Sequence, residues 1–240
     1  IEIYGLTEGG GSCMLEANLH PDKLHTVGKP GFGVELKILD EQGNELPQGE
    51  VGEIVGRAEM MMKGYYKQDA KTRELFWYDK DGRLFFKSGD MGRIDEDGFV
   101  VLLDRKKDMI ISGGFNVYAA DIEVLLLKHP DLVDAAVIGV PSEQWGESAM
   151  ALCVRRDGST LSEEAVREWA NAQLSKTQRL VAVELRDSLP RSTIGKIMKR
   201  ELRAPYWEGR AVKIIHSRAK QLDLYASVAV SHRGNDQARR

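Results

Sequence analysis

The chain has 240 residues, 42% hydrophobic and 30% charged, with 34 basic and 37 acidic residues for a formal net charge of -3. That is the composition of folded globular protein, enough for one large or two ordinary domains, and it excludes a disordered chain. The near balance of charge makes no case for nucleic acid or a membrane surface, and no apolar run approaches the roughly 20 residues of a transmembrane helix.

In chain order, IEIYGLTEGG lacks the basic start and long apolar core of a signal peptide. The first residue is not Met, so the chain is expected to be part of a longer one. The first hundred residues alternate glycines with short β-type runs. In VELKIL, apolar Val34, Leu36 and Ile38 alternate with Glu35 and Lys37, the period of a half-buried strand. GEIVG reads as another strand and DEQGNELPQG as a hairpin turn. LFFKSGD and GFVVLLD are two further strands joined by EDG. These runs predict a compact β-rich unit, a small distorted barrel.

At DRKKD (104–108) the character changes, to a solvated turn or a linker between two folding units. Beyond it MII predicts a short strand and SGG a turn. DIEVLLLKH places Ile122, Leu125, Leu126 and His129 on one helical face, with Pro130 as a stop. VDAAVIGV, MALCVRR and VAVELR predict strands. Ser162 caps a helix over SEEAVREWANAQL, whose Val166, Trp169, Ala170 and Leu174 share a face. A loop, PRSTIGK, and a final helical stretch follow, and the polar, basic-ended tail is expected to be poorly ordered. The cysteines, Cys13 and Cys153, form no CxxC pair and have no flanking histidines. This argues against zinc and for a reducing, cytoplasmic compartment, with Cys153 a buried small hydrophobe.

Four segments could carry chemistry. In YGLTE a threonine hydroxyl able to donate to phosphate adjoins a carboxylate suited to Mg²⁺, though alone the pair reads equally as a helix cap. SGD ends a strand with Asp90, whose two oxygens could accept from two ribose hydroxyls, or which could be a plain turn aspartate. Arg105 could reach a nucleotide through its planar fork, or sit in a solvated charge cluster with Lys106 and Lys107. Gly113 and Gly114 could let a slim ligand pass, or simply turn the chain. Lys196, after Gly195, is a compact cation able to stabilise developing oxyanion charge, or a surface lysine.

Taken in order, these segments resemble the adenylate-forming superfamily of acyl-CoA synthetases, peptide-synthetase adenylation domains and beetle luciferases. YGLTE looks like its Y-G-x-T-E motif, and FFKSGD like its aromatic-R-T-G-D motif, with Lys87 and Ser88 as departures. LPQGEVGEIVGR with MMKGYYK is similar to its distal β-subdomain, DRKKDMIISGGFNVYAADIE to its hinge and lid, and PRSTIGK to its terminal P-x-T-x-x-G-K. The resemblance implies an α/β and α+β fold. Residues 1–104 would be the end of a large N-terminal domain with its distorted β-barrel subdomain, and 105–108 a hinge. Residues 109–207 would be a small α+β C-terminal lid, and 208–240 a tail.

The implied activity is an acid–thiol ligase that joins a small carboxylic acid to coenzyme A through an acyl-adenylate, with ATP/AMP and Mg²⁺ as cofactors. SGGFNVYAADIE and VIGVPSEQWGE look most like fatty-acyl or feruloyl-CoA types. By motif position Tyr4, Gly5 and Thr7 line the nucleotide and Thr7 meets the α-phosphate. Glu8 holds Mg²⁺, Asp90 the ribose, and Arg105 the nucleotide. Lys107 is the hinge residue, Gly114 borders the pantetheine path, and Lys196 assists adenylation alone. The family's phosphate loop, rich in Ser, Thr and Gly and ending Pro-Lys, is absent from these 240 residues. The chain alone is therefore expected to be inactive or nearly so. The alternatives are an adenylation domain loading a carrier protein, or a non-catalytic nucleotide-binding module.

Overall fold

The computed structural model describes residues 1–209. The chain divides into two compact units, one spanning Ile1–Lys107 and the other beginning at Asp108. The expectation about the tail falls almost wholly on residues 210–240, outside those described.

In the first unit β1 (Glu2–Gly5), β2 (Ser12–Leu15) and β3 (Lys29–Pro30) form a small antiparallel sheet. A second sheet is built from β4 (Glu35–Leu39), β5 (Gly52–Arg57), β6 (Phe76–Tyr78), β7 (Leu84–Ile94) and β8 (Val100–Arg105). A short helix, α1 (Asp69–Leu75), precedes β6. The two predicted turns form as their residues require. Asp40 accepts from the backbone N–H groups of Gln42 and Asn44, and Asp95 from those of Asp97 and Phe99.

The barrel expected here takes the form of an open sheet. Its order is β4-β5-β7-β6, with β8 also on β7. The outer edge of the long β7 is shared: β6 pairs with residues 84–86 and β8 with residues 90–94. Val100 at the head of β8 exchanges backbone hydrogen bonds with Val27 and Gly28, at 2.9 and 2.8 Å, which ties the sheet to the smaller one. Among the described residues no pairing returns to β4. Cys13, Ile38, Ile54 and Val100 form the core between the sheets.

The second unit is a two-faced sheet of β9 (Ile110–Ser112), β10 (Phe115–Val117), β11 (Leu132–Ser142), β12 (Gly146–Arg155) and β13 (Leu180–Arg186). The continuous apolar runs of β11 and β12 reflect burial on both faces. Ala135, Val137, Ala149, Ala151 and Cys153 face α2 (Ala119–Leu126) and α3 (Glu163–Asn171). Ala136, Ile138, Val140, Met150 and Leu152 face the opposite side, with Leu202 of α4 (Lys199–Trp207). Ser162 caps α3 as predicted, its hydroxyl accepting from the Ala165 N–H at 3.2 Å. The helix predicted over DIEVLLLKH stops at Leu126, so His129 lies beyond it and stacks edge-on against Trp169 instead.

Glycines set the closest approach in the first unit. A Cβ on Gly56 would lie 1.8 Å from the Gly10 carbonyl oxygen, and one on Gly10 would lie 2.4 Å from Phe86 Cβ. The GGG run therefore lies backbone-to-backbone on β5. Gly56→Ala is expected to destabilise the protein by about 1–3 kcal/mol or more through this overpacking, read as a lower urea midpoint at unchanged slope.

Candidate active site

Three of the predicted residues meet in the first unit. The Tyr4 hydroxyl donates to Asp90 Oδ2 at 2.6 Å, and Arg105 Nε pairs with Asp90 Oδ1 at 2.8 Å. Asp90 is only 6% exposed. Burial, and then the bond to Asp90, push the Tyr4 phenol well above its ordinary range, which keeps it a proton donor.

Contrary to what its residues predict, SGD does not end a strand: β7 runs on to Ile94 and SGD is a bulge inside it. Between the pairs Glu53↔Met91 and Val55↔Lys87, β5 advances two residues and β7 four. Gly89 supplies the left-handed conformation with φ +71°, where a side chain would be strained. The Ser88 hydroxyl donates to the Ile54 carbonyl at 2.7 Å and accepts from the Asp90 N–H at 3.0 Å, satisfying backbone groups that the bulge leaves unpaired. The bulge re-aims Asp90 to where Arg105, its register partner on β8, can grip it. Ser88, a departure from the family motif, is thus part of the scaffold of the site.

Thr7 and Glu8 lie in a turn after β1, and not at the helix cap that was the alternative. Gly5 closes β1 opposite Ser12. Thr7 Oγ1 donates to Glu8 Oε2 at 2.9 Å, and Tyr65 from the KGYY segment donates to Glu8 Oε1 at 2.6 Å. The Tyr65 bond is the main cause of a Glu8 pKa below its ordinary value. Lys71 sits over the Tyr65 ring, 4.4 Å from its centroid. Sequence reasoning missed Tyr65, and its only signal was the family-like run MMKGYYK. Among the described residues no group of three or more His, Cys, Asp or Glu could cage a metal. Glu8 nevertheless suits Mg²⁺, an ion that is often held by one or two carboxylates plus substrate phosphates. Its two oxygens accept from different hydroxyls, Oε1 from Tyr65 and Oε2 from Thr7.

At the end of the first unit the chain is pinned through Lys106. Its N–H donates to the Gly89 carbonyl at 2.8 Å, and its ammonium pairs with buried Glu53 at 2.7 Å. Lys107 is the last residue of the unit and is exposed. In the second unit Gly113 and Gly114 turn β9 into β10, both with positive φ. A Cβ on Gly114 would meet nothing within 4 Å. Lys196 tips a turn whose base is the bridge Arg191↔Ile197, and Gly195 before it has φ +82°. The Lys196 ammonium has no hydrogen-bond or ion-pair partner among the described residues.

The AMP-binding enzyme family matches residues 1–66, and its C-terminal domain matches residues 121–196. A long-chain-fatty-acid–CoA ligase of Escherichia coli O6:H1 is 38% identical over 205 residues, covering 85% of this chain and 35% of that protein. A fatty acid–[acyl-carrier-protein] ligase, ScoC, of Streptomyces coeruleorubidus is 38% identical over 217 residues, covering 89% of this chain and 41% of that protein. The solved structure of ATP-bound MatB from Rhodopseudomonas palustris is similar at TM-score 0.76 and 39% identity, over 85% of this chain and 40% of that one. The chain belongs to the family of AMP-binding, adenylate-forming enzymes. It spans 35% to 41% of the length of these curated relatives.

Tyr65→Phe is expected to raise the Glu8 pKa toward the ordinary carboxylate range, since a donor to the charged form is removed. The stabilisation linked to the depressed pKa is present above the unfolded-state value and is lost as pH falls through the folded one. Carboxyl NMR titration of Glu8 in both proteins checks this; an unmoved pKa would show that Tyr65 does not hold the carboxylate.

Proposed function

We propose that this chain is the C-terminal part of an ATP-dependent acid–thiol ligase that forms acyl-CoA, AMP and pyrophosphate. The observation that carries the reading is the Tyr4–Asp90–Arg105 constellation. A nearly buried carboxylate accepts from a phenol on one oxygen and pairs with a guanidinium on the other, with a lone pair left on each. Such a group is shaped to accept from two neighbouring ribose hydroxyls, while the half-exposed Arg105 reaches the nucleotide. Tyr4 and Gly5 border the nucleotide in this assignment.

In the first step a carboxylate oxygen of the acid attacks the α-phosphorus of ATP, and the bond to the bridging oxygen breaks to release pyrophosphate. Thr7, turning its hydroxyl away from Glu8, would donate to an α-phosphate oxygen, and Glu8 would hold Mg²⁺, which would supply charge neutralisation. Lys196 brings its ammonium to oxygens gaining charge in this step. In the second step the thiol sulfur attacks the acyl carbonyl, AMP leaves and the thiol proton is lost. Lys107 is the pivot between the steps, and Gly114 leaves room for the pantetheine arm. In domain terms residues 1–104 close the nucleotide-binding domain, 105–108 are the hinge, 109–207 the lid and 208–240 a tail. These 240 residues contain no phosphate loop of the family's type, so the activity is assigned to the longer enzyme.

Among the described residues no helix is long and apolar enough to cross a membrane. Both cysteines are buried and unpaired, in keeping with work in a reducing cytoplasm. The substrate is a small carboxylic acid, of fatty or feruloyl type. The similarity to a carrier-protein ligase favours one second reading, with a carrier thiol in place of CoA.

The test uses the full-length enzyme. Acid-dependent ATP–pyrophosphate exchange across fatty and aromatic acids is expected, and its absence would sink the ligase reading. Lys196→Ala is expected to cut that exchange about 10²–10³-fold while thioester formation from preformed acyl-adenylate is largely kept. Equal loss of both would refute a role confined to the first step. CoA against a phosphopantetheinylated carrier as acceptor separates the two readings.

A further inference from the structure

Lys196 lies on a turn, yet a catalytic cation has to be placed to within a fraction of an ångström. Its own backbone is fixed locally. Its N–H donates to Ser192 Oγ at 3.2 Å, and its carbonyl accepts from the Ser192 N–H at 2.8 Å. These bonds shape the turn but do not attach it to the rest of the unit. Leu189 and Ile197 seat the base of the turn in the apolar cluster beneath α4, and Arg191 adds a polar tie to the peptide of Lys196 itself. One guanidinium nitrogen, Nη1, donates to the Gly195 carbonyl at 2.7 Å, the peptide oxygen directly before Lys196. The other, Nη2, pairs with Asp134 Oδ2 at 2.5 Å.

Asp134 is itself deliberately aimed. The pairing of β11 with β12 slips between Leu132 and Asp134, so Val133 is an extra residue on β11 and Asp134 follows a bulge. Bulges re-aim side chains. The other Asp134 oxygen accepts from the Ala135 N–H at 3.1 Å, which locks the carboxylate onto its own strand. The result is a continuous chain of bonds from the central sheet, through Asp134 and Arg191, to the peptide of Lys196. The planar fork of arginine spans two acceptors at a set angle, and an ammonium would not reproduce it.

We propose that Arg191 and Asp134 form a positioning pair for Lys196, setting where its ammonium stands during adenylation. The proposal rests on the catalytic reading of Lys196 given above. An exposed ion pair of this kind contributes little to stability. Its effect should therefore appear in the rate of one half-reaction, and not in the melting temperature.

In the full-length enzyme, Arg191→Met is expected to lower kcat for ATP–pyrophosphate exchange about 10- to 100-fold with KM for ATP nearly unchanged. Thioester formation from preformed acyl-adenylate should stay within about twofold. Asp134→Asn, which keeps the side chain's shape and fold, should show a smaller loss of the same kind, and Arg191→Lys should restore only part of the rate. In the Lys196→Ala background, Arg191→Met should add no further loss, because the two act as one unit. Exchange unchanged in Arg191→Met and Asp134→Asn, beside a damaged Lys196→Ala, would overturn the positioning role alone. So would equal losses in the wild-type and Lys196→Ala backgrounds. Intact exchange in Lys196→Ala would overturn the catalytic reading, and the pair's role with it.

Discussion

A carboxylate withdrawn from water must be paired, and Asp90 is the point on which the first unit depends. Left alone at its depth it would carry a desolvation cost of several kcal/mol. Tyr4 and Arg105 remove that cost, and in doing so bind three distant parts of the chain to one atom pair. The same pairing fixes β1, and with it the turn that carries Thr7 and Glu8, relative to the larger sheet. It also anchors the last residue of β8. Lys106 adds a backbone bond to Gly89 and an ion pair to Glu53. The ties end there, and the unit ends one residue later at Lys107. The pivot proposed at Lys107 would need no special flexibility of that residue, since the residue before it is tied down by a backbone bond and an ion pair.

The second unit solves a different problem. Its sheet is apolar on both faces, so helices must cover both. Two carboxylates, Glu123 of α2 and Glu147 of β12, reinforce the apolar seating of α4. Glu123 accepts from the Val137 N–H and pairs with Lys199, while Glu147 accepts from the Ile111 N–H and pairs with Arg203. Trp207 closes the far end by donating to the Gly139 carbonyl. With α4 seated along its length, Leu189 and Ile197 enter the same apolar cluster from either side of the Lys196 turn. The turn is therefore held at its base and free only at its tip.

What was legible in the sequence is what depends on near neighbours. The Ser162 cap, the Asp40 turn and the EDG turn follow from a few adjacent residues. The uninterrupted apolar runs of β11 and β12 marked strands buried on both sides. The motif residues were found by type and order, and Tyr4, Asp90 and Arg105 do converge. What was not legible depends on register. SGD reads as a strand end because a glycine and an aspartate are turn residues; only pairing with β5 makes it a bulge. The strands β1, β2, β3, β6 and β10 are two to four residues long, too short for a period to show. Tyr65 reaches Glu8 across 57 positions, and Arg191 reaches Asp134 across the same separation. No local pattern encodes either contact.

The contrast between cations follows from the same physics. Arg105, Lys106, Arg191, Lys199 and Arg203 are all paired with carboxylates. Each contributes an ion pair to the fold, and each has a protein carboxylate beside its charge. Lys196 is exposed, and its ammonium is unpaired among the described residues. A hydrated, unpaired ammonium costs the folded state nothing, and it has no protein carboxylate to leave before it meets an anion. A paired lysine would have to surrender its partner at the moment of reaction, offsetting part of the stabilisation it brought to the transition state. Under the proposed role the labour would divide: the backbone of the turn, held through Ser192 and Arg191, would carry the positional constraint, and the flexible four-carbon stem the charge. In the proposed role precision would lie in the peptide and reach in the side chain, so that a lysine on a surface turn would serve where a buried one would already be spent.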